Sequence, residues 1–325
     1  MSSFTSVIVC TYRHPQLMKR LLVCLTEQTA SKEAYEIIAV FDKHELETRK
    51  ICRAMQDRLP NLRIVLSPGH TTLAGAINIG VHHARGNYLI FTDDDCLPHQ
   101  DWVSNMTAAL QREPLVMGAI TSPTSEYVKL SHNVSHLYRW MPGRRAGPMP
   151  FLAGATMGFR RSVFNEIGGF FPDSKNNDMD FLLKARSRGY RVYFDPKARI
   201  AHDPDRNTLR AVFGYTYTLA SNTIVLRQQH KKLMRTPFVL RSSLLLRLAS
   251  PFIAFGMTVK IFFGNISLIR YVHTAPLVFA MKITWCWGAA AGLARYRGGQ
   301  SSTEGPKEDA RSRNGGSRIY REPSL

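Results

Sequence analysis

Residues 87–95 read NYLIFTDDD, an apolar run that passes without a break into three carboxylates. A short run rich in aromatic and β-branched residues suits a buried strand, which places the aspartates at its carboxyl end. Outward from this stretch the strand signal recurs in SVIVCTY (6–12), EIIAVFD (36–42) and NLRIVLSPG (61–69), the last closed by Pro68 and Gly69. Helical spacing lies between them: HPQLMKRLLVCLTEQ (14–28) repeats Leu17, Leu21, Leu22 and Leu25, and ELETRKICRAMQDRL (45–59) and AGAINIGVHHAR (74–85) follow suit. The alternation predicts a parallel, doubly wound α/β sheet with ligands at the carboxyl ends of its strands.

Two nucleotide-binding classes are disfavoured at once. The first strand runs into Cys10-Thr11-Tyr12-Arg13-His14-Pro15, where a dinucleotide site would need G-x-G-x-x-G, and there is no G-x-x-x-x-G-K-[ST] loop. The aspartates carry a different chemistry. Successive strand residues face opposite sides, so Asp93 and Asp95 are expected to converge while Asp94 turns away. Paired carboxylates suit a hard divalent cation shared with substrate phosphates; a solvated turn or a helix N-cap before Pro98 is equally compatible with the triplet alone.

The chain has 325 residues, 43 Lys and Arg against 24 Asp and Glu, and a formal charge of +19. Its 44% hydrophobic content supports a large core and excludes general disorder. Five scattered cysteines without a C-x-x-C pair fit neither a disulfide framework nor a zinc ribbon, and suit a reducing compartment. The opening MSSFTSVIVCTYRHP lacks a basic lead and a long apolar run, so it is expected to belong to the fold.

The positive charge is concentrated. No acidic residue occurs between Asp205 and Glu304, where thirteen Lys and Arg are found. The same region holds LASPFIAFGMTV (248–259), IFFGNISLI (261–269) and APLVFAMKITWCWGAAAGLA (275–294). Apolar stretches punctuated by basic residues suit an anionic membrane surface, and no nucleic-acid partner is expected. Helices lying in the interface are favoured over a span, because Lys282 interrupts the longest candidate, 275–294; an ordinary buried helical subdomain is the alternative. Residues 298–325, polar and rich in Gly and Ser, read as a disordered tail.

Four blocks, SVIVCTYRHPQLMKRLLVCLTEQT, EIIAVFD, LAGAINIGVHHARGNYLIFTDDDCLP and LAGATMGFRRSVFNEIGGFFPDSKNNDMDFLLKARSRGYRVYFDPKARIAH, together resemble the family 2 glycosyltransferases of the GT-A fold. The resemblance covers about residues 4–205. It implies a GT-A domain over 1–205, to which the composition adds a mostly helical, membrane-associated region over 206–297 and the tail over 298–325. It further implies inverting transfer of a sugar from a nucleotide diphosphate donor, with a UDP-sugar favoured, assisted by Mn²⁺ or Mg²⁺. The acceptor would be a glycan or a lipid-linked precursor in polysaccharide or glycolipid biosynthesis, reached from the cytoplasmic side of the cell membrane by a peripheral or monotopic enzyme.

Carried over by the resemblance, Thr11, Tyr12 and Arg13 are the nucleotide-contacting turn and Asp42 the carboxylate that meets the base. Asn78 and Gly80 match the N-x-G step, although Ile77 stands where a basic residue is usual. Asp93 and Asp95 match D-x-D, with Asp95 the direct metal ligand and Asp93 directed to the ribose or metal. Gly154 and Ala155 lie where backbone approaches the donor sugar. The family's Glu-Asp pair appears here as Asn177-Asp178, so Asp178 is the expected base, with Asp180 acting on its proton affinity. His202 matches a histidine offered to the metal or diphosphate.

From local sequence alone, Asp178 reads better as an N-cap, and His202 reads equally as a surface histidine. Arg206 and Arg210 read as a solvated face, with contact to a diphosphate or a lipid phosphate as the alternative; Cys10 and Cys96 read as core, as do Trp102 and Trp140, with stacking on a sugar face the alternative for the tryptophans. Asn105, Asn133 and Asn265 begin N-x-[ST] triplets on which no glycan is expected. Two other functions fit parts of the pattern: a metal-dependent nucleotidyltransferase and a non-catalytic membrane-binding scaffold.

Overall fold

A computed structural model describes residues 4–69, 71–172, 174, 176–230 and 237–297; the tail expected over 298–325 lies outside the described residues. The first half alternates as the hydrophobic pattern requires. Strands β1 (Thr5–Cys10), β2 (Tyr35–Asp42), β3 (Leu62–Ser67) and β4 (Tyr88–Asp93) are linked by helices α1 (Pro15–Thr26), α2 (Leu46–Met55) and α3 (Leu73–His83). These strands lie parallel in the order β3-β2-β1-β4, and β1 and β2 are buried almost throughout. Gly80 lets α3 settle onto this layer, since a Cβ there would come within 2.6 Å of the Ile8 side chain.

Beyond β4 the sheet departs from the parallel expectation. Strand β5 (Cys96–Pro98), helix α4 (Trp102–Arg112), β6 (Leu115–Thr121), α5 (Tyr127–Leu137), β7 (Gly147–Met149), β8 (Met157–Arg160), α6 (Arg161–Ile167), α7 (Asn177–Ser187) and β9 (Val192–His202) follow in order. β8 runs antiparallel to both β4 and β6, β9 is parallel to β6, and β5 and β7 are antiparallel to β9. The result is a nine-stranded mixed sheet. The reason is connectivity: the chain returns into the sheet beside β4 through the 3-10 turn Gly154–Thr156, with no helical crossover immediately before β8.

An aromatic stack fastens α7 to the sheet. Phe91 of β4 lies 4.7 Å from Phe159 of β8, centroid to centroid. Phe159 lies 4.7 Å from Phe181 of α7, which stacks at 4.6 Å on Phe170. Each such contact contributes about 0.5–1.5 kcal/mol beyond area burial, and the stack sets the distance between the ends of β4 and α7.

The C-terminal region is helical: α8 (Leu209–Gln229), α9 (Ser243–Leu248), α10 (Ser250–Phe263), a 3-10 segment Ile266–Thr274, and α11 (Ala275–Arg297). α11 packs along α8 at very close range. A Cβ on Gly288 would fall 2.3 Å from the Tyr217 carbonyl oxygen, and one on Gly292 2.4 Å from that of Ser221. Only glycines one turn apart allow this approach. Lys282 of α11 turns inward and its Nζ donates to the Ser135 carbonyl of α5 at 2.7 Å; burial pulls its pKa down to about 7. By length and composition the run Ile266–Arg297 is apolar enough to cross a membrane, yet half of its most apolar window is buried inside the protein.

Replacing Phe159, which is fully buried at the centre of the stack, by alanine should cost about 3–5 kcal/mol of stability, read by chemical denaturation. Gly292→Leu should separate α8 from α11 and lower the melting temperature, whereas Gly214→Leu, on an open face of α8, should leave it nearly unchanged.

Candidate active site

The parallel strands end together. Cys10 of β1 is in register with Asp93 of β4 on one side and with Val40 of β2 on the other, so the turns after β1, β2 and β4 meet at one edge. This gathers Thr11, Tyr12, Asp42 and the three aspartates around a cleft of about 530 Å³ that Ser67, Thr71 and Arg206 also line. A second cavity of about 470 Å³ lies alongside, walled by Gly154, Ala155, Asn177, Asp178, His132, His136 and Tyr215. Asp93, His202 and Tyr215 line both, so the cavities meet at the carboxylates.

Asp93 ends β4, while Asp94 and Asp95 form a tight turn into β5. Asp93 and Asp95 do converge: their ligand atoms, with Cys96 Sγ, all lie within 4.8 Å of one another. The turn, not strand alternation, brings them together. Asp94 does not turn away from the site. It lines the donor-side cleft, where Thr11 Oγ1 donates to its Oδ2 and His14 Nδ1 lies 3.3 Å from the same oxygen.

His202 reaches Asp95 through sheet pairing. Cys96 of β5 is opposite His202 of β9, which sets His202 Nε2 3.5 Å from Asp95 Oδ2. Burial lowers the His202 pKa, leaving the imidazole neutral at physiological pH. Its Nδ1 lies 3.3 Å from Asn133 Oδ1, while the Asn133 amide donates to the His202 carbonyl at 2.8 Å and to Ser122 Oγ at 3.0 Å. With Nδ1 as the protonated nitrogen in this network, the Nε2 lone pair points toward Asp95, as a metal ligand requires. Asn133 is fully buried, which also closes its N-x-S triplet to glycosylation.

This donor set fits a hard divalent cation. Two carboxylates and a neutral imidazole suit Mn²⁺ or Mg²⁺, whereas the buried Cys96 thiol, its pKa raised well above the ordinary value by burial, is a poor partner for either. Burial and the charges of Asp95, Asp94 and Asp178 push Asp93 up to about 8 against the opposing charge of Arg206, the behaviour of a site whose negative charge exceeds the positive charge around it.

Asp178 sits in the first turn of α7, in the second cavity. Burial raises its pKa, opposed by hydrogen bonds from the backbone amides of Met179, at 2.8 Å, and Gly154. Gly154 also lies against Asp93, its Cβ position 3.8 Å from both carboxylate oxygens, so one residue spaces the two acids. Asp180 does not act on Asp178 as expected; it pairs with Lys184 Nζ at 3.1 Å.

The remaining expected residues divide. Asp42 lines the cleft and its Oδ1 accepts from the His44 amide. Arg13, at φ 60° and exposed, lies over the Tyr12 ring and is not among the residues lining these cavities. Asn78 is absent from both linings too. Its amide donates to the Phe170 carbonyl at 2.7 Å and accepts from the Phe170 amide at 3.0 Å, so it pins the turn that carries the aromatic stack. Trp102 is core, its indole donating to Thr156 Oγ1, whereas Trp140 borders the second cavity. Three further residues border the site, of which His132 carried no signal in the sequence and Asn133 only its N-x-S triplet. Arg206 lies over the Tyr215 ring at 4.1 Å beside the aspartates, and Asn133 orients His202. His132 lines the second cavity in neutral form, burial lowering its pKa to about 3.

Comparison with known proteins follows the same geometry. The family model described as glycosyl transferase family 2 matches residues 6–168, and that of glycosyl transferase family group 2 matches residues 88–293. Glycosyltransferase AglE of Haloferax volcanii is 32% identical over 100 residues, 31% of this chain and 33% of that protein. The succinoglycan biosynthesis protein ExoM of Rhizobium meliloti is 24% identical over 207 residues, 60% of this chain and 65% of that protein. The chain thus spans between a third and two thirds of these relatives. In fold, it resembles the Pyrobaculum calidifontis mannosyltransferase PcManGT, solved with GDP-Man and Mn²⁺. The TM-score is 0.56 at 19% identity, covering 91% of this chain and 76% of that one.

Asn133→Leu keeps the branched shape of the side chain but removes the partner of His202 Nδ1. Mn²⁺ affinity, measured by calorimetry, should fall about 10- to 100-fold with the fold unchanged.

Proposed function

The chain belongs to glycosyl transferase family 2, and from that premise we propose that it is a metal-dependent, inverting glycosyltransferase. It takes a sugar from a nucleoside diphosphate donor, with a UDP-sugar the first to test, and passes it to a glycan or lipid-linked acceptor at the cytoplasmic face of the cell membrane. One observation carries the reading: Asp178 and Asp93 both lie against Gly154 where a donor-side cleft and a second cavity join, with Asp95 beside Asp93. PcManGT, with its bound GDP-Man and Mn²⁺, supports a nucleotide sugar and a divalent ion for a fold of this kind.

In this mechanism Thr11, Tyr12 and Asp42 hold the nucleoside at the ends of β1 and β2. Asp93, Asp95 and His202 hold the cation, which when bound offsets the charge of the departing diphosphate. Arg206 adds a second positive group at the same place. Asp178 removes the proton from the acceptor hydroxyl as its oxygen bonds to the anomeric carbon and the bond from that carbon to the phosphate oxygen breaks. Attack from the face opposite the leaving group inverts the configuration.

Incubation with nucleotide sugars should release a nucleoside diphosphate; release of pyrophosphate from a nucleoside triphosphate would instead establish nucleotidyl transfer. Asp178→Asn should lower kcat by about 10²- to 10⁴-fold with donor affinity retained, whereas Asp95→Ala should weaken metal and donor binding together. Full activity in Asp178→Asn would remove it as the base. The base acts ionised, and burial raises its pKa, so activity should be lost on acidification at a pH above the ordinary carboxylate value of about 4, and regained as pH rises.

A further inference from the structure

The C-terminal helices leave a large apolar surface without a partner. On α10, Phe252, Phe255, Val259 and Phe263 recur at spacings of three and four residues, and the three phenylalanines are 81%, 65% and 72% exposed. The opposite side of the same helix, with Ala254, Ile261 and Phe262, is buried against the protein. α10 is therefore apolar all round, with one side already satisfied. The stripe continues into the 3-10 segment, where Ile266, Ile269 and Val272 recur every third residue, as a 3-10 helix requires to keep one face. On α9 it continues through Leu244 and Leu248, both 66% exposed.

We propose that this continuous face of α9, α10 and the 3-10 segment docks the enzyme onto an anionic bilayer as a monotopic anchor, with α11 remaining inside the protein. Charge selects the occupant. Exposed Arg241, Arg247, Lys260 and Arg270 lie among the apolar residues, and the sequence from 206 to 303 contains no acidic residue to repel an anionic headgroup. Long basic side chains beside phenylalanines on a surface helix are the pattern of an interfacial anchor. α11 is already committed: Lys282 is tied to Ser135, and Gly288 and Gly292 are locked against the α8 backbone.

The face is also well placed for the acceptor, and here the inference rests on the proposed transfer reaction. Leu130 and Val134 of α5 pack against Ile261, Phe262 and Leu268 behind the anchor. His132 and His136 of the same helix line the second cavity. Two helix layers, α10 and then α5, thus lie between the bilayer-facing surface and the cavity that holds Asp178.

Flotation of the full-length protein with vesicles of phosphatidylcholine and phosphatidylglycerol tests the docking without any need for activity. The wild type should float, more strongly with phosphatidylglycerol and less at high salt. F252S/F255S/F263S should lose at least about tenfold of vesicle affinity while keeping its circular dichroism and its release of nucleoside diphosphate from a soluble donor. R247E/K260E should keep weak binding to neutral vesicles and lose the preference for anionic ones. Equal flotation of the triple variant, or no flotation of the wild type, overturns the proposal. A lipid-free dimer that the triple variant dissolves would overturn it in favour of a second copy of the chain. Flotation without sugar transfer would leave the anchor standing and the proposed reaction refuted.

Discussion

Consecutive carboxylates at the end of a buried strand cannot all remain charged without compensation, and the architecture around Asp93–Asp95 is organised by that constraint. Each aspartate is handled differently. Asp94 is taken up by Thr11 and His14, which ties the turn after β1 to the turn after β4. Asp95 faces His202, delivered by the antiparallel pairing of β5 with β9. Asp93 is pushed up to about 8 by burial and by the charges of Asp95, Asp94 and Asp178, which Arg206 offsets only in part. A divalent ion relieves this electrostatic debt, since it favours the ionised form of both flanking acids at once.

The fourth carboxylate is held by other means. Asp178 depends on α7, and α7 depends on the row of phenyl rings from β4 through β8 to Phe181. Asn78 holds Phe170 by both backbone polar groups, so a residue outside the two cavities still fixes one ring of that row. Position at the start of the helix favours ionisation through the amides of Met179 and Gly154, while burial works against it. The balance leaves a carboxylate more basic than an exposed aspartate, as the proposed base requires.

The parts legible in the sequence were those with a local period. Strands β1 to β4 and helices α1 to α3 follow from short apolar runs and 3.6-residue spacing, and the four blocks that resemble family 2 glycosyltransferases sit in the structure in the expected order. Contacts between distant segments were not legible. His202 meets Asp95 across more than a hundred residues of chain through register alone, and Asn133 carried only the signature of a surface glycosylation triplet. Alternation correctly paired Asp93 with Asp95 but for the wrong reason, because a turn replaces the strand after Asp93. Arg206 looked like part of a solvated run; only the fold shows it lying over Tyr215 beside the acids. In the apolar C-terminal region the composition indicated lipid affinity, but which side of each helix was spent on the protein required the packing of Lys282, Gly288 and Gly292.

The sharing of α5 between two surfaces has a practical corollary for anyone trimming this protein. Removing residues 237–297 to obtain a more soluble catalytic fragment would strip Leu130 and Val134 of their cover and unmoor α8, whose Tyr215 and Thr218 close the second cavity. The fragment would retain the cleft on the intact β1–β4 layer but would lose a wall of the second cavity, where the proposed reaction places the acceptor. Polar substitutions on the outward phenylalanines, rather than deletion, are therefore the route to a soluble preparation that keeps both substrates in place.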